Sequence, residues 1–152
     1  MSRPDLNAVL RARAEAEACG TGNLPLVLAE VRHALDALAE TGRTWVIDLS
    51  TLPMTPTEAQ ALDAWLGAGE VTAQVEAEGP SEVAETGFAG VWRVTHRDAE
   101  GRIRGRYLEI TQIPAILQSQ PEDIAAAAHR IACAMADFDD PHPSDRKEAS
   151  CS

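Results

Sequence analysis

The sequence contains few aromatic residues and few cysteines, and it has almost no lysine. Aromatic side chains make up 4% of its 152 residues, and Lys147 is the only lysine. The three cysteines, Cys19, Cys133 and Cys151, lie far apart and form no CxxC pair. This spacing argues against a disulfide framework and against a four-cysteine zinc site. A chain of this length can bury enough apolar surface to fold without either.

Two further absences limit where the protein works and what it binds. Residues 1–20 contain three arginines and no apolar run, which argues against a secretory signal. No stretch approaches the roughly 20 apolar residues of a membrane span. The net charge is −11, with 24 acidic residues against 13 basic ones, and such a field repels nucleic acid. The sequence therefore predicts a cytoplasmic protein that does not enter the membrane or bind nucleic acid.

Four segments have the apolar period of helices, namely residues 5–18, 25–40, 56–66 and 121–136. Asn23 is the predicted N-cap of the second helix, and Gly42 is its predicted end. Thr55 and Glu58 are predicted to form a capping box at the start of the third. The fourth has a predicted inner stripe of Ile124, Ala127, Ala128, Ile131 and Met135.

Strands are predicted at residues 43–49, 71–77, 81–86, 91–97 and 102–113. The segment from Asp98 to Gly101 fits a type I turn followed by a left-handed glycine, which pairs Asp98 with Arg102 and Trp92 with Leu108. A register shifted by one would place arginines opposite each other, which is destabilising. The chosen register predicts one apolar face that contains Phe88, Trp92, Val94, Leu108 and Ile110.

These elements predict an α+β fold, with a mainly antiparallel sheet of four to five strands packed with three to four helices in a single domain. Residues 1–22 form the predicted N-terminal helix and a glycine-containing break. Residues 23–138 form the α+β domain. Residues 139–152 form an acidic tail that is predicted to be disordered, because it is polar and interrupted by prolines.

The sequence offers weak candidates for chemistry. His129 and Cys133 are four residues apart on a predicted helix and could face one metal, with Cys19 as a further ligand. Two ligands do not make a site, however, and ordinary packing of a small buried cysteine is the simpler interpretation. His96 has no adjacent serine or cysteine nucleophile in the sequence, so a catalytic triad is not indicated. We therefore predict no catalytic residue, no metal site and no bound cofactor.

The predicted hairpin concentrates arginine in an otherwise acidic chain, at Arg93, Arg97, Arg102, Arg104 and Arg106. One interpretation is a solvated sheet face that resists edge pairing. The other is a docking patch for carboxylates on a partner protein, because guanidinium groups bind carboxylates in a bidentate geometry. Trp92, on the same hairpin, either lines this surface or lies in the core, and the core is favoured. These six residues form the candidate protein-interaction site.

Three segments carry a resemblance to a known family. The runs GEVTAQVEAEGPSEVAETGFAGVWRV at residues 69–94 and YLEITQIPAILQSQPEDI at 107–124 resemble the conserved domain of HupH/HyaF-type hydrogenase expression proteins. The run IDLSTLPMTPTE at 47–58 is similar to the family's entry into its second helix. Together the resemblance extends over about residues 24–124.

The resemblance implies an accessory role in nickel–iron hydrogenase maturation. The chain would be a non-catalytic chaperone that binds the iron–sulfur small-subunit precursor, acting beside a thioredoxin-like accessory protein. The family has no established active site, so the resemblance assigns no catalytic residue. The alternative function is a metal or iron–sulfur delivery factor that uses Cys133, His129 and Cys19.

Overall fold

The computed structural model describes residues 20–76 and 79–138, which divide into two compact units after Ala115. The first unit contains α1 (Asn23–Thr41), β1 (Trp45–Asp48), α2 (Pro56–Leu66), β2 (Thr72–Glu76), β3 (Pro80–Glu85), β4 (Val91–Arg97) and β5 (Ile103–Ile110). The second contains α3 (Pro121–Phe138), which follows a short 3-10 turn at Ala115–Leu117. The helix predicted at residues 5–18 and the tail predicted at 139–152 lie outside the described residues.

The five strands form one antiparallel sheet in the order β1-β5-β4-β3-β2. This confirms the predicted α+β class. Apolar side chains of α1 and α2 pack against one face of the sheet, because both helices present a stripe at helical spacing. The buried cluster consists of Leu24, Val27, Val31, Ala34, Ile47, Ala61, Leu62, Leu66, Val91, Leu108 and Ile110.

A glycine in the left-handed conformation flanks α1 at each end. Gly42 ends the helix in the left-handed conformation, with φ 71°, and its N–H donates to the carbonyl of Leu38, which confirms the predicted end. The predicted N-cap at Asn23 is wrong. Gly22 occupies that position, with φ 80°, and Asn23 lies inside the helix. The Asn23 side chain instead donates to the carbonyl oxygen of Pro53 at 2.7 Å, so its amide holds a loop and does not cap.

Glu58 joins the first turns of two helices. As predicted, it forms a capping box with Thr55, whose Oγ1 accepts from the Glu58 N–H while the carboxylate accepts from the Thr55 N–H. The same carboxylate accepts from the Gly22 N–H at 3.1 Å and from the Thr21 hydroxyl at 2.9 Å. Glu58 is only 1% exposed, so these donors replace the water that it loses.

The hydrogen bonds to Glu58 make the stability of the folded protein depend on pH in the acid range. The Thr55 backbone N–H lowers the pKa of Glu58, burial acts in the opposite direction, and the Thr21 and Gly22 donors lower it further. A carboxyl whose pKa is lowered on folding stabilises the fold above its unfolded pKa, near 4.5 here, and this contribution is lost as pH falls through the folded pKa.

We therefore expect Glu58→Gln to be less stable than the native chain at neutral pH, with a difference that shrinks as the pH is lowered below 4.5. Urea unfolding of both proteins across an acid pH series measures this. A matched Glu122→Gln variant, in the first turn of α3, controls for the loss of one negative charge. A difference between Glu58→Gln and native protein that stays constant with pH would contradict this account.

The hairpin between β4 and β5 follows the predicted register at its turn and departs from it further along. The Asp98 N–H donates to the Arg102 carbonyl at 2.9 Å, and Gly101 has φ 79°, which confirms the turn. His96 then pairs with Gly105 while Arg97 pairs with Ile103. Arg104 is therefore the extra residue of a β-bulge, which a turn-based register does not anticipate.

The bulge redistributes the side chains that were predicted to share one face. Trp92 pairs with Glu109, so the predicted pairing with Leu108 is wrong. Leu108 and Ile110 instead share the helix-facing side with Val91. Trp92 and Val94 point to the opposite face, because neighbouring residues of a strand alternate and an extra residue reverses the alternation of the partner strand.

Helix α3 forms where it was predicted, but its apolar stripe is not an inner stripe. The side chains of Ile124, Ile131 and Met135 are exposed. Amphipathic spacing indicates a helix with an apolar face without specifying what covers that face. Within the described residues, none of the helices has the length and apolar character needed to cross a membrane.

Candidate functional site

Two arginines of the candidate site brace the sheet against α2. Arg93 and Arg106 both reach the carboxylate of Asp63, at 3.3 and 3.2 Å, one to each oxygen. Arg93 also donates to the carbonyl of Gly67, at the end of α2, at 3.0 Å. Their side chains are 27% and 36% exposed. This arrangement holds the helix on the sheet and commits both guanidinium groups to contacts within the chain.

Two other arginines gather at the hairpin tip. Arg102 and Arg104 contact the same oxygen of Asp98, at 2.9 and 3.0 Å. Burial raises the pKa of Asp98, but donation from the Arg102 backbone and side chain and the charge of Arg104 outweigh it and hold this pKa below its usual value. Asp98 therefore keeps its charge further into the acid range than an ordinary aspartate, and it holds both arginines beside the turn.

The tip arginines remain accessible, unlike the bracing pair. The side chains of Arg102 and Arg104 are 68% and 65% exposed. Arg97 is 35% exposed, no more than Arg106, and it forms a 3.8 Å ion pair with Glu82 and a hydrogen bond to the carbonyl of Gly101. Exposed ion pairs in water contribute about 0–1 kcal/mol, so the tip arginines can exchange partners at little cost. The structure thus separates an accessible pair, Arg102 and Arg104, from three more covered arginines, Arg93, Arg97 and Arg106.

Trp92 lies in the interior. It is 6% exposed, and its ring Nε1 donates to the Thr111 carbonyl at 3.1 Å. A buried indole that satisfies its only donor has the environment of a core side chain. The structure therefore places Trp92 apart from the accessible arginines.

A serine–histidine pair that the sequence did not reveal lies on the same face as Trp92. The antiparallel register places Ser81 opposite His96, and the Ser81 Oγ lies 2.8 Å from the His96 Nδ1. Tyr107 packs edge-on against the His96 ring. Burial raises the pKa of nearby Glu109, and the charge of His96 opposes that rise. Only the pairing of β3 with β4 could have indicated this pair, because the two residues are 15 positions apart.

This pair resembles part of a catalytic triad, but its exposure differs from that of a nucleophile. A nucleophilic hydroxyl must reach a substrate, and Ser81 is buried. Its hydrogen bond to His96 gives the buried Ser81 hydroxyl a partner. The simplest role for the pair is to fix β3 against β4.

The predicted metal ligands are close together without forming a metal centre. The Cys133 Sγ lies 3.8 Å from the His129 Nδ1. Cys133 is disulfide-bonded, which the cysteine spacing did not indicate, and so it offers no thiolate to a metal. Among the described residues, no group of three or more His, Cys, Asp or Glu side chains is placed to hold a metal ion. Cys19 and Cys151 lie outside those residues.

An open cavity of about 450 Å³ lies at the start of β2. Its lining residues are Ala68, Gly69, Glu70, Glu85, Thr86, Gly87 and Ala89. The backbone at Gly69 lies close to the backbone at residues 85–86. The Gly69 N–H donates to the Glu85 carbonyl, and a Cβ on Gly69 would meet the Thr86 carbonyl oxygen at 2.6 Å. Backbone of these two segments therefore shapes the cavity, and Glu70 and Glu85 are among its lining residues.

Comparison with known proteins identifies relatives of the chain. A family model described as "HupH hydrogenase expression protein, C-terminal conserved region" matches residues 21–137. The chain is 30% identical over 112 residues to the hydrogenase expression/formation protein HoxQ of Cupriavidus necator. It is 33% identical over 141 residues to the HoxQ protein of Azotobacter vinelandii. These matches cover 74% and 84% of this chain but 40% and 49% of the relatives, so the chain spans less than half of their length.

A solved structure has the same fold. The hydrogenase expression protein HupH from Thiobacillus denitrificans superposes with a TM-score of 0.74 at 39% sequence identity. The match covers 78% of this chain and 99% of that one. The fold described above is therefore the fold of that protein.

Proposed function

Because the chain belongs to the HupH hydrogenase expression protein family, we propose that it is a non-catalytic accessory protein that binds the hydrogenase small-subunit precursor in the cytoplasm. The observation that supports this most is the family match over residues 21–137, which includes each helix and strand described for the sheet-containing unit. A thioredoxin-like accessory protein is a further proposed partner. Binding is the proposed activity, since an assembly chaperone needs an accessible surface in place of a nucleophile.

The proposed docking surface is the hairpin tip, defined here as Arg97, Arg102 and Arg104. The guanidinium groups of Arg102 and Arg104 are exposed, stand out in a chain of net charge −11 and suit carboxylates on a client, while Arg97 lies beside them and is more covered. Arg93 and Arg106 support the surface indirectly, because their contacts with Asp63 fix β4 and β5 against α2. Trp92 is a buried residue of β4 and contributes to this surface only by stabilising that strand.

We expect the double substitution Arg102→Gln and Arg104→Gln to weaken binding of the purified small-subunit precursor about tenfold, because each lost charge-assisted contact contributes roughly 0.5–1 kcal/mol at an exposed site. The matched control is Arg32→Gln with Arg43→Gln, which removes the same charge from exposed positions elsewhere. Isothermal titration calorimetry at low and high salt measures both. The loss should diminish at high salt, since screening weakens the native contacts.

The two parts of the proposal fail in different ways. If the native chain binds the precursor no better than an unrelated acidic protein of similar size, the proposed function is wrong. If it binds the precursor and both double variants bind equally well, the function stands and the hairpin tip is not the docking surface. Thermal unfolding of each variant confirms that a binding loss is not a folding loss.

A further inference from the structure

Asp98 contacts both exposed arginines of the hairpin tip and also closes the turn between them and β4. Its Oδ2 accepts a hydrogen bond from the Arg102 Nε at 2.9 Å and lies 3.0 Å from the Arg104 Nε. Its Oδ1 accepts from the backbone N–H groups of Glu100 and Arg102, at 3.1 and 2.9 Å. One carboxylate oxygen therefore holds the turn while the other holds one end of two guanidinium groups.

The two exposed arginines differ in what their remaining nitrogens do. The Nη2 of Arg102 donates to Glu100 at 3.1 Å, so Arg102 has both its Nε and its Nη2 engaged. A bidentate contact with a carboxylate needs two adjacent N–H groups, and each such pair on Arg102 includes an engaged nitrogen. Within the described part of the chain, the Nη1 and Nη2 of Arg104 donate to no acceptor. Arg104 thus keeps an intact fork.

The β-bulge and the burial of Asp98 present this fork to a partner. Arg104 is the extra residue of the bulge, and bulges commonly redirect a side chain. Its side chain is 65% exposed, whereas that of Asp98 is 13% exposed. The pair between Arg102 and Glu100 is 68% and 66% exposed and opens at little cost, but water screens the contacts of Asp98 less. Arg104 can therefore keep Asp98 while its far end binds a second group.

We propose that Arg104 binds a carboxylate of the partner protein through its Nη1–Nη2 fork, and that Asp98 is the positioning residue that holds the other end of its guanidinium group. This inference rests on the docking role proposed for the hairpin tip and assigns separate roles to its two exposed arginines. Arg102 stabilises the turn through Asp98 and Glu100. Arg104 reads the partner.

A matched pair of lysine substitutions tests the role of the fork. Arg104→Lys keeps the positive charge but cannot form a bidentate contact, so we expect it to raise the dissociation constant of the purified small-subunit precursor about fivefold. Arg102→Lys makes the same change at the neighbouring exposed arginine and should raise the constant less than about twofold. Isothermal titration calorimetry measures both, and neither variant changes the net charge.

Asp98→Asn tests the positioning role. Asparagine keeps an oxygen that can accept from the turn amides, but its amide nitrogen cannot accept from the arginines. We expect the dissociation constant to rise about threefold, because Arg104 must then be ordered on binding. Simple charge attraction predicts the opposite sign, since the variant removes a negative charge that repels a carboxylate. NMR relaxation of the Arg104 Nε–H group should also show greater motion in Asp98→Asn than in the native chain.

Failure of this inference differs from failure of the proposed function. Equal effects of Arg104→Lys and Arg102→Lys on a precursor that binds the native chain would overturn the assignment to Arg104 and leave the function standing. Tighter binding by Asp98→Asn, or unchanged motion of the Arg104 Nε–H group, would overturn the positioning role. If Asp98→Asn also shifts the turn amides, the lysine comparison alone decides.

A second probe covers the case in which the native chain does not bind the precursor. The proposed function is then wrong, and the same lysine variants are titrated with a capped tetraglutamate peptide and followed by NMR. A larger loss of peptide affinity for Arg104→Lys than for Arg102→Lys would support carboxylate binding by Arg104. Equal losses would overturn it.

Discussion

Replacement of Trp92 by alanine is expected to lower the free energy of unfolding by about 3–5 kcal/mol, the range for a large aromatic side chain removed from a core. Trp92 is 6% exposed and lies between Glu85 on β3 and Glu109 on β5. Its removal would leave a cavity beside Val83 and Val94, which are fully buried, and would leave the Thr111 carbonyl without the indole donor. Urea unfolding followed by circular dichroism measures the change.

Trp92→Phe is the matched control, because it keeps most of the apolar volume and removes the indole N–H. We expect it to cost about 1–2 kcal/mol, the sum of one hydrogen bond and a small loss of packing. The alternative, that Trp92 lines a recognition surface, makes the opposite prediction. A cost below about 1 kcal/mol for Trp92→Ala, together with weaker precursor binding, would support that alternative.

Leu108→Ala is expected to lower the free energy of unfolding by about 3 kcal/mol or more, which is within the range for a buried leucine in a well-packed core. Leu108 is fully buried on β5 and lies between Ile47 of β1 and Arg93 of β4. It faces the helices, so the cavity would lie under α1 and α2, and rigid strands on both sides would limit collapse around it. Thermal and urea unfolding both measure this loss.

Val46→Ala is the control for Leu108→Ala. Val46 is the neighbour of Ile47 on β1 but is 59% exposed, and we expect its substitution to cost less than about 0.5 kcal/mol. Together the two variants test the alternation of β1 and β5. Similar costs at both positions would mean that the assignment of faces in the β1–β5 pair is wrong.

Local signals predicted local structure in this chain. The Thr55–Glu58 capping box, the end of α1 at Gly42 and the left-handed Gly101 all follow from residues within a few positions of each other, and each is confirmed. Backbone preferences and short-range hydrogen bonds decide such features. The antiparallel sheet could also be predicted, because strands joined by short turns pair with their neighbours.

The failures have a common physical origin in tertiary contacts. A bulge at Arg104 reversed the face assignment of β5, and no local pattern in the arginine-rich segment signals an extra residue. Asn23 is a residue type that often caps helices, but its side-chain amide donates a hydrogen bond to the Pro53 carbonyl, 30 positions away. The Ser81–His96 pair likewise depends on strand register and not on spacing in sequence.

The candidate site shows the same limit in a different form. Sequence analysis could identify the cluster of arginines, because it requires only composition. It could not separate the pair that binds Asp63 from the pair that binds Asp98, because that division depends on the faces of the sheet. The cavity at the start of β2 could not be predicted either, because it forms where residues 68–70 lie against residues 85–89, which are distant in sequence.

The contacts of Glu58 also bear on how the fold opens. Its carboxylate closes the first turn of α2 and, at the same time, holds the Thr21–Gly22 segment that begins α1. Neither helix can fray at its first turn without releasing bonds that the other uses. The two starts are therefore expected to behave as one cooperative unit in local unfolding, although Gly22 and Glu58 are 36 positions apart in the chain.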